Sequence, residues 1–187
     1  MRLNFSTKNQ WVLPQPVMVI GTFDEENRAN AMTAVRGGLL SDTELVLWLD
    51  INNVTTKNIL KKKTFTVSFA TEDTVEIADF IGITSANFND DKMERAGLHW
   101  EKGQVSDAPV FNEFPMVLEC GLVDYDENTW HLSAVILNIQ IEKSVLGMNG
   151  RPDMAKLKPI LYDPSNNSYH AFGSKLGRAY ECGKKLR

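Results

Sequence analysis

The first third of the chain alternates apolar and polar positions, or groups apolar residues in short blocks, as β-strands do. Residues 17–23 (VMVIGTF) are apolar and rich in β-branched side chains, the DEEN turn follows, and residues 28–35 return as a second strand. Residues 45–51 (LVLWLDI) form an apolar run that is too short for a good helix, and residues 64–70 (TFTVSFA) alternate. We predict four strands in this region.

Between and after these strands, three segments carry the signals of short helices. Residues 55–62 (TTKNILKK) begin with Thr55, which we assign as the N-cap, and end in lysines, which the helix dipole favours at that end. Residues 74–82 (TVEIADFIG) have helical spacing with a threonine cap and a glycine stop. A polar loop at 84–87 leads into a third helix, which Gly97 closes.

The second half of the chain returns to strands. Residues 116–126 and 129–142 flank a turn, and residues 159–163 and 168–173 predict a final hairpin. No repeat or linker interrupts the chain, and no regular strand–helix–strand alternation favours a doubly wound fold. We therefore predict a mainly-β single domain over residues 1–187, with short α-helices and a closed barrel.

Composition and charge are those of an ordinary globular protein, with 43% hydrophobic residues, 24% charged residues and a formal net charge of -4. This balance argues against a dedicated nucleic-acid partner, and the lysines at 61–63 fit a solvated helix end. Cys120 and Cys182 match no metal or redox spacing and indicate free thiols in a reducing compartment. Since neither a signal peptide nor an apolar run of about 18 residues is present, we expect a cytoplasmic protein without a membrane partner.

The motifs of several enzyme classes are missing from the sequence. It contains no G-x-G-x-x-G, no P-loop, no H-E-x-x-H and no G-x-S-x-G elbow, so hydrolase and metal chemistry rank low, and we assign no catalytic residue and no metal ligand. His131 stands alone in a strand, where a histidine is more often an ordinary core or surface residue than a functional one.

Residues 30–34 (NAMTA) place an amide and a hydroxyl among small side chains in a predicted strand. A planar ligand such as a flavin could approach the backbone of such a strand closely, because its ring edge needs donors and acceptors. The alternative is that Ala29, Ala31 and Ala34 only allow tight packing of the barrel.

Two further segments could bind an anion. Thr55 and Thr56 stand at a predicted helix N-terminus, where unpaired N–H groups favour negative charge, although a capping threonine needs no ligand. Ser85, Asn87 and Lys92 could neutralise a phosphate or hydrogen-bond a ring carbonyl. The alternative for Lys92 is a surface salt bridge to a nearby carboxylate, Asp90 or Glu94.

Taken in order, these segments resemble the flavin reductase-like, FMN-binding split-barrel family and, within it, the flavoredoxin branch. The likeness covers nearly the whole chain and is carried by PVMVIGT at 16–22, NAMTA at 30–34, TTKNI at 55–59, SAN at 85–87 with DK at 91–92, APV at 108–110, LEC at 118–120 and YHAFGSKLG at 169–177. No single motif is strong, but the ordered set is specific.

The resemblance implies a Greek-key split barrel, a homodimer, and one FMN per subunit near the dimer interface. By position, it implies that strand 30–34 lies along the flavin ring and that His131 approaches from the long strand of either subunit. The cofactor-binding residues that it implies are Asn30, Ala31, Met32, Thr33, Ala34, Thr55, Thr56, Ser85, Ala86, Lys92 and His131. Arg36 stands where many relatives carry tryptophan, which argues against aromatic stacking there and suggests an anionic contact or an altered substrate side. Ser133–Ala134 stand where relatives often carry glycine, so access to the flavin is expected to differ.

Three functions follow as alternatives. In the first alternative the protein is an FMN-dependent reductase that takes electrons from NADH, NADPH or a protein donor and passes them to a small or protein acceptor. In the second reading it is a flavoredoxin-like electron carrier with a redox protein partner and no nicotinamide oxidation of its own. In the third it is a cofactor-free β-barrel interaction protein.

Overall fold

The computed structural model describes residues 14–186 and is dominated by β-strands. The strands are β1 (Gln15–Pro16), β2 (Met18–Phe23), β3 (Ala29–Ala34), β4 (Gly37–Leu39), β5 (Glu44–Trp48), β6 (Thr64–Phe69), β7 (Trp100–Lys102), β8 (Pro109–Phe111), β9 (Met116–Asp126), β10 (His131–Ile141), β11 (Ile160–Asp163) and β12 (Ser168–Ala171). The α-helices are α1 (Val54–Lys62), α2 (Val75–Ile83), α3 (Lys92–Arg95) and α4 (Met154–Leu157), and 3₁₀ turns cover Glu72–Thr74, Lys143–Val145 and Cys182–Leu186. The prediction of a mainly-β chain with short helices is confirmed.

One curled antiparallel sheet organises these elements. Its seven strands follow the spatial order β3-β2-β6-β9-β10-β5-β4, so strands that are distant in sequence become neighbours. The hairpin β9–β10 is its longest pair, and β1, β11 and β12 form a smaller sheet. This order places β3 at one edge of the sheet, where helices α1 and α2 can pack against it.

Strand β2 separates two hydrophobic clusters. Met18 and Ile20 point into the barrel with Leu47 and Phe65, whereas Val19 points to the opposite side, towards α2. Successive side chains of a strand face opposite sides of the sheet, and here both sides are covered, so the whole strand is buried. The second cluster holds α2 against the strand that carries the candidate site residues.

The helix ends differ in detail from the prediction. Helix α1 begins at Val54 with Asn53 as the N-cap residue, so the assignment of Thr55 as the cap is wrong; Thr55 lies in the first turn and is buried. Helix α2 continues through Gly82 to Ile83. A Cβ at Gly82 would lie 3.1 Å from Thr33 Cβ, so this glycine lets α2 approach β3 closely.

A buried carboxylate fastens a loop to the outer side of the sheet. Glu119 Oε2 accepts hydrogen bonds from the Val105 and Ser106 N–H groups, each at 2.9 Å, and its other oxygen accepts from the side-chain amides of Asn138 and Gln140. Burial by itself would raise the pKa of Glu119, but these donors outweigh it and lower the pKa to about 2. The carboxylate is therefore ionised at neutral pH.

Within residues 14–186, no helix is long and apolar enough to cross a membrane.

Candidate functional site

Strand β3 brings Asn30 against the first turn of α1. The side chain of Asn30 is 6% exposed, and its Nδ2 donates to Thr55 Oγ1 at 2.8 Å. Its Oδ1 is buried and has no hydrogen-bond partner among the described residues. Because a buried amide oxygen without a partner costs free energy, this atom indicates a place where a ligand or water donates.

A cavity of 120 Å³ lies beside this pair of residues. Strand β3, the start of α1, the end of α2 and α3 each contribute to its wall. The wall brings together seven of the predicted cofactor-binding residues, which are Asn30, Met32, Thr33, Thr55, Ser85, Ala86 and Lys92. Residues as distant in sequence as Asn30 and Lys92 thus converge on one place.

Lys92 is a buried cation in the wall of this cavity. Its side chain is 4% exposed, and Nζ donates to the backbone carbonyl of Ala31 at 2.7 Å. Burial lowers the pKa of Lys92 to about 8, and no carboxylate in the described part of the chain offsets that cost. The alternative of a surface salt bridge from Lys92 to Asp90 or Glu94 is wrong, because Lys92 is buried and forms no ion pair with any of the described residues.

The first turn of α1 adds a second source of positive potential. The N-cap residue Asn53 makes no side-chain capping hydrogen bond, and no acidic residue stands in the first turn. The N–H groups at the start of a helix have no partner within the helix and carry the positive end of its dipole. Asn53, Val54 and Thr55 all line the cavity, so this helix end and Lys92 face the same space.

The other predicted residues lie outside the cavity wall. Ala31 contributes its carbonyl to Lys92, whereas Ala34 packs in the barrel core. The Thr56 hydroxyl is buried and lacks a partner among residues 14–186. His131 lies edge-on to Trp48, with ring centroids 5.3 Å apart. Its role in cofactor binding, from either subunit, stays a prediction.

Some residues of the cavity wall were not predicted from the sequence. Six residues line the cavity but were not among the candidates: Asn53, Val54, Ile81, Gly82, Ile83 and Thr84. Asn53 carried a usable signal, because asparagine directly before a helix is a favoured N-cap and places the following N–H groups at the cavity. Thr33 lines the cavity too, yet its hydroxyl donates to the carbonyl of Ala78 and so ties β3 to α2.

Residues 11–162 match the model of the flavin reductase like domain. The chain belongs to this family. Among solved structures, this flavin reductase-like protein is similar to flavoredoxin of Desulfovibrio vulgaris (Miyazaki F), with 30% sequence identity and a TM-score of 0.90 over 97% of this chain and 100% of that chain. No curated protein matches the chain.

Two more distant structures show the fold alone. Flavoredoxin from Methanosarcina acetivorans is 24% identical with a TM-score of 0.89 over 100% of both chains. An FMN-binding domain of a flavin reductases-like enzyme from Shewanella baltica OS155 is 17% identical with a TM-score of 0.79, covering 88% of this chain and 89% of that chain. The predicted family, its flavoredoxin branch and the split-barrel fold are confirmed.

Proposed function

We propose that this flavin reductase-like protein binds FMN non-covalently, with the phosphate at the cavity between β3, α1 and Lys92, and works as an oxidoreductase. The observation that carries the proposal is the buried Lys92 ammonium, which has no carboxylate partner within residues 14–186 and shares its cavity with a helix N-terminus. A dianionic phosphate would neutralise the charge of the Lys92 ammonium and accept hydrogen bonds from the first N–H groups of α1, because an unpaired buried cation and unpaired helix N–H groups each favour an anion.

The size of the cavity decides how much of FMN it can enclose. At 120 Å³ it is smaller than the roughly 300 Å³ at the lower end of sites that enclose a whole organic ligand. We infer that the cavity holds one end of the cofactor, while the flavin ring extends along β3. The small residues of that strand let the ring edge approach the backbone, and Asn30 Oδ1 is available as an acceptor.

Bound FMN would supply the acceptor and donor of electrons, and the protein would hold it and set its potential. In this arrangement Lys92 and the first turn of α1 hold the phosphate and so act on the binding of the cofactor. The donor is NADH, NADPH or a redox protein, and the acceptor is a small molecule or a protein. Membership of the flavin reductase-like family supports this part of the proposal.

A second candidate is a flavoredoxin-like electron carrier that does not itself oxidise nicotinamide. The 30% identity over nearly the full length of the Desulfovibrio vulgaris flavoredoxin favours it. The two functions share the cofactor site and differ in the electron donor. A cofactor-free interaction protein would leave the Lys92 charge uncompensated, so we rank it third.

We further propose one domain over residues 1–187, a homodimer and a cytoplasmic location. The dimer is supported by exposed apolar side chains along the long hairpin, namely Val123, Leu137 and Ile139. Exposed apolar surface of this kind marks interaction sites in soluble proteins.

The test begins with the visible absorption spectrum of the purified protein and a titration of the apoprotein with FMN. Flavin absorption and saturable binding are expected, and a colourless protein that FMN does not stabilise would overturn the proposal. NADH and NADPH oxidation is then followed with excess FMN. Turnover supports the reductase, whereas reduction only through a partner reductase supports the carrier.

A further inference from the structure

The last fifteen described residues, 172–186, form an extension that we call the C-terminal arm. Every residue of the arm is exposed, including Leu176 at 99% and Tyr180 at 98%. A groove of 1020 Å³ lies between its first residues and the segment 147–155. The apolar side chains of the arm therefore remain unburied within the chain that carries them.

The arm nevertheless has local structure at its end. The N–H groups of Glu181 and Cys182 both donate to the carbonyl of Arg178, and a 3₁₀ turn covers Cys182–Leu186. Single helical turns are unstable in water without a surface to pack on. Ordered turns and exposed apolar residues together indicate a segment that packs on another surface.

The arm is basic, whereas the rest of the chain is acidic. It carries Lys175, Arg178, Lys184 and Lys185 against the single carboxylate of Glu181, while the whole chain has a formal net charge of -4. The remainder of the chain must therefore be more acidic than the total. A second copy of this chain thus offers the arm a surface of opposite charge.

A surface of opposite charge lies where the turn between β9 and β10 meets the end of β5. We call this surface the acidic tip and define it as Trp48, Asp50, Asp126, Glu127 and Trp130. The Tyr125 hydroxyl donates to the Leu49 carbonyl, and Leu49 N–H donates to the Trp130 carbonyl, so the tip is one structural unit. The pKa of Tyr125 is raised, mainly by burial and to a smaller extent by the negative charges of Asp50, Glu127 and Asp126. In the described part of the chain, none of these carboxylates has a Lys or Arg partner.

We propose that the C-terminal arm of one copy packs on the acidic tip of a second copy, with its lysines and Arg178 facing the carboxylates and its apolar side chains on Trp48 and Trp130. Both tryptophans are exposed, so the tip offers aromatic as well as charged contacts. This inference rests on the proposed homodimer and states which segments of the two subunits contact each other. The tip adjoins the candidate cofactor cavity, because Asn53 N–H donates to the Asp50 carbonyl and Asn53 lines that cavity.

Cys182 gives a direct test, since it is exposed in the arm, whereas Cys120 is buried and burial raises the pKa of its thiol to about 12. The full chain is labelled at Cys182 with a benzophenone maleimide, and ¹⁴N and ¹⁵N copies are mixed, allowed to exchange and irradiated. We expect mixed-isotope cross-links to residues 48–50 and 123–130. Cross-links within single copies only, or to other surfaces only, would overturn the proposal.

Sedimentation equilibrium supplies the second test. Arg178→Glu is expected to raise the dimer Kd several-fold, with partial rescue by Glu127→Lys, whereas the matched control Lys143→Glu leaves Kd unchanged. Removal of residues 173–187 should raise Kd further, with circular dichroism reporting whether the fold is kept. An unchanged Kd on truncation overturns the arm contact and leaves the dimer standing. A wild type that is monomeric overturns both, while FMN titration tests the cofactor site separately.

Discussion

The side-chain amide of Asn30 donates to the Thr55 hydroxyl at 2.8 Å, and this bond joins strand β3 to the first turn of α1. Both side chains are buried, and both line the cavity that we assign to the cofactor phosphate. The bond fixes the distance between the strand and the helix end, and so it sets the width of the site.

Thr55→Val removes the acceptor of this bond while keeping the shape of the side chain. It leaves the buried Asn30 amide without a partner, so we expect a loss of about 1–3 kcal/mol in the free energy of unfolding and weaker FMN binding. Urea unfolding of the apoprotein measures the first effect. Thr55→Ser, which keeps the hydroxyl, is the control and should retain most of the stability and most of the FMN affinity. An equal loss of stability in the two variants would contradict the assigned hydrogen bond.

Lys92→Met removes the buried cation and keeps an apolar chain of similar length. We expect FMN affinity to fall at least tenfold, while riboflavin, which lacks the phosphate, binds nearly as before. The apoprotein should become as stable as the wild type or more stable, because an uncompensated buried charge is lost. Isothermal titration with the two flavins makes the comparison. An equal loss for FMN and riboflavin would place Lys92 at the ring instead of the phosphate.

The lowered pKa of Lys92 also predicts a pH dependence. The folded apoprotein releases this proton near pH 8, and the unfolded chain near the ordinary value of 10.5, so the unfolded state binds more protons between them. Stability of the apoprotein from this group therefore rises with pH across that window, and FMN affinity falls as the ammonium loses its charge. Chemical unfolding and FMN titration from pH 7 to 10 measure both trends. Lys92→Met should lack both.

Glu119→Gln replaces the carboxylate that accepts hydrogen bonds from Val105 and Ser106 of one loop and from two side-chain amides. An amide offers one acceptor oxygen only, so we expect a loss of about 2–4 kcal/mol in the free energy of unfolding. The pKa of Glu119 is lowered from its ordinary value of 4.5 to about 2, so its contribution to stability is complete above pH 4.5 and is lost as the pH falls towards 2. Urea unfolding at pH 7 and at lower pH tests this, with Glu101→Gln, a substitution of an exposed carboxylate outside every proposed site, as control. Similar midpoints for the two variants would contradict the role of Glu119.

Local patterns located most of the elements, because the period of apolar residues reports directly which face of a strand or helix is buried. The strand at 28–35 corresponds to β3, and the helix at 55–62 to α1, with ends that shifted by one residue or more. The ends shifted because capping depends on where a side chain finds a partner. Thr55 looked like a cap in sequence, but in the fold its hydroxyl faces Asn30.

By itself, the sequence determined the mainly-β class, the small-residue strand, the order of the family's segments and the presence of polar groups suited to an anion. Only the tertiary structure decided that Lys92 lies buried against the Ala31 carbonyl, that four separate segments share one cavity, and that Glu119 serves as a buried acceptor. The reason is physical: periodicity is a property of neighbours along the chain. Contacts between distant side chains depend instead on the order of strands in the sheet, which brings β3 to the edge beside α1 and α2.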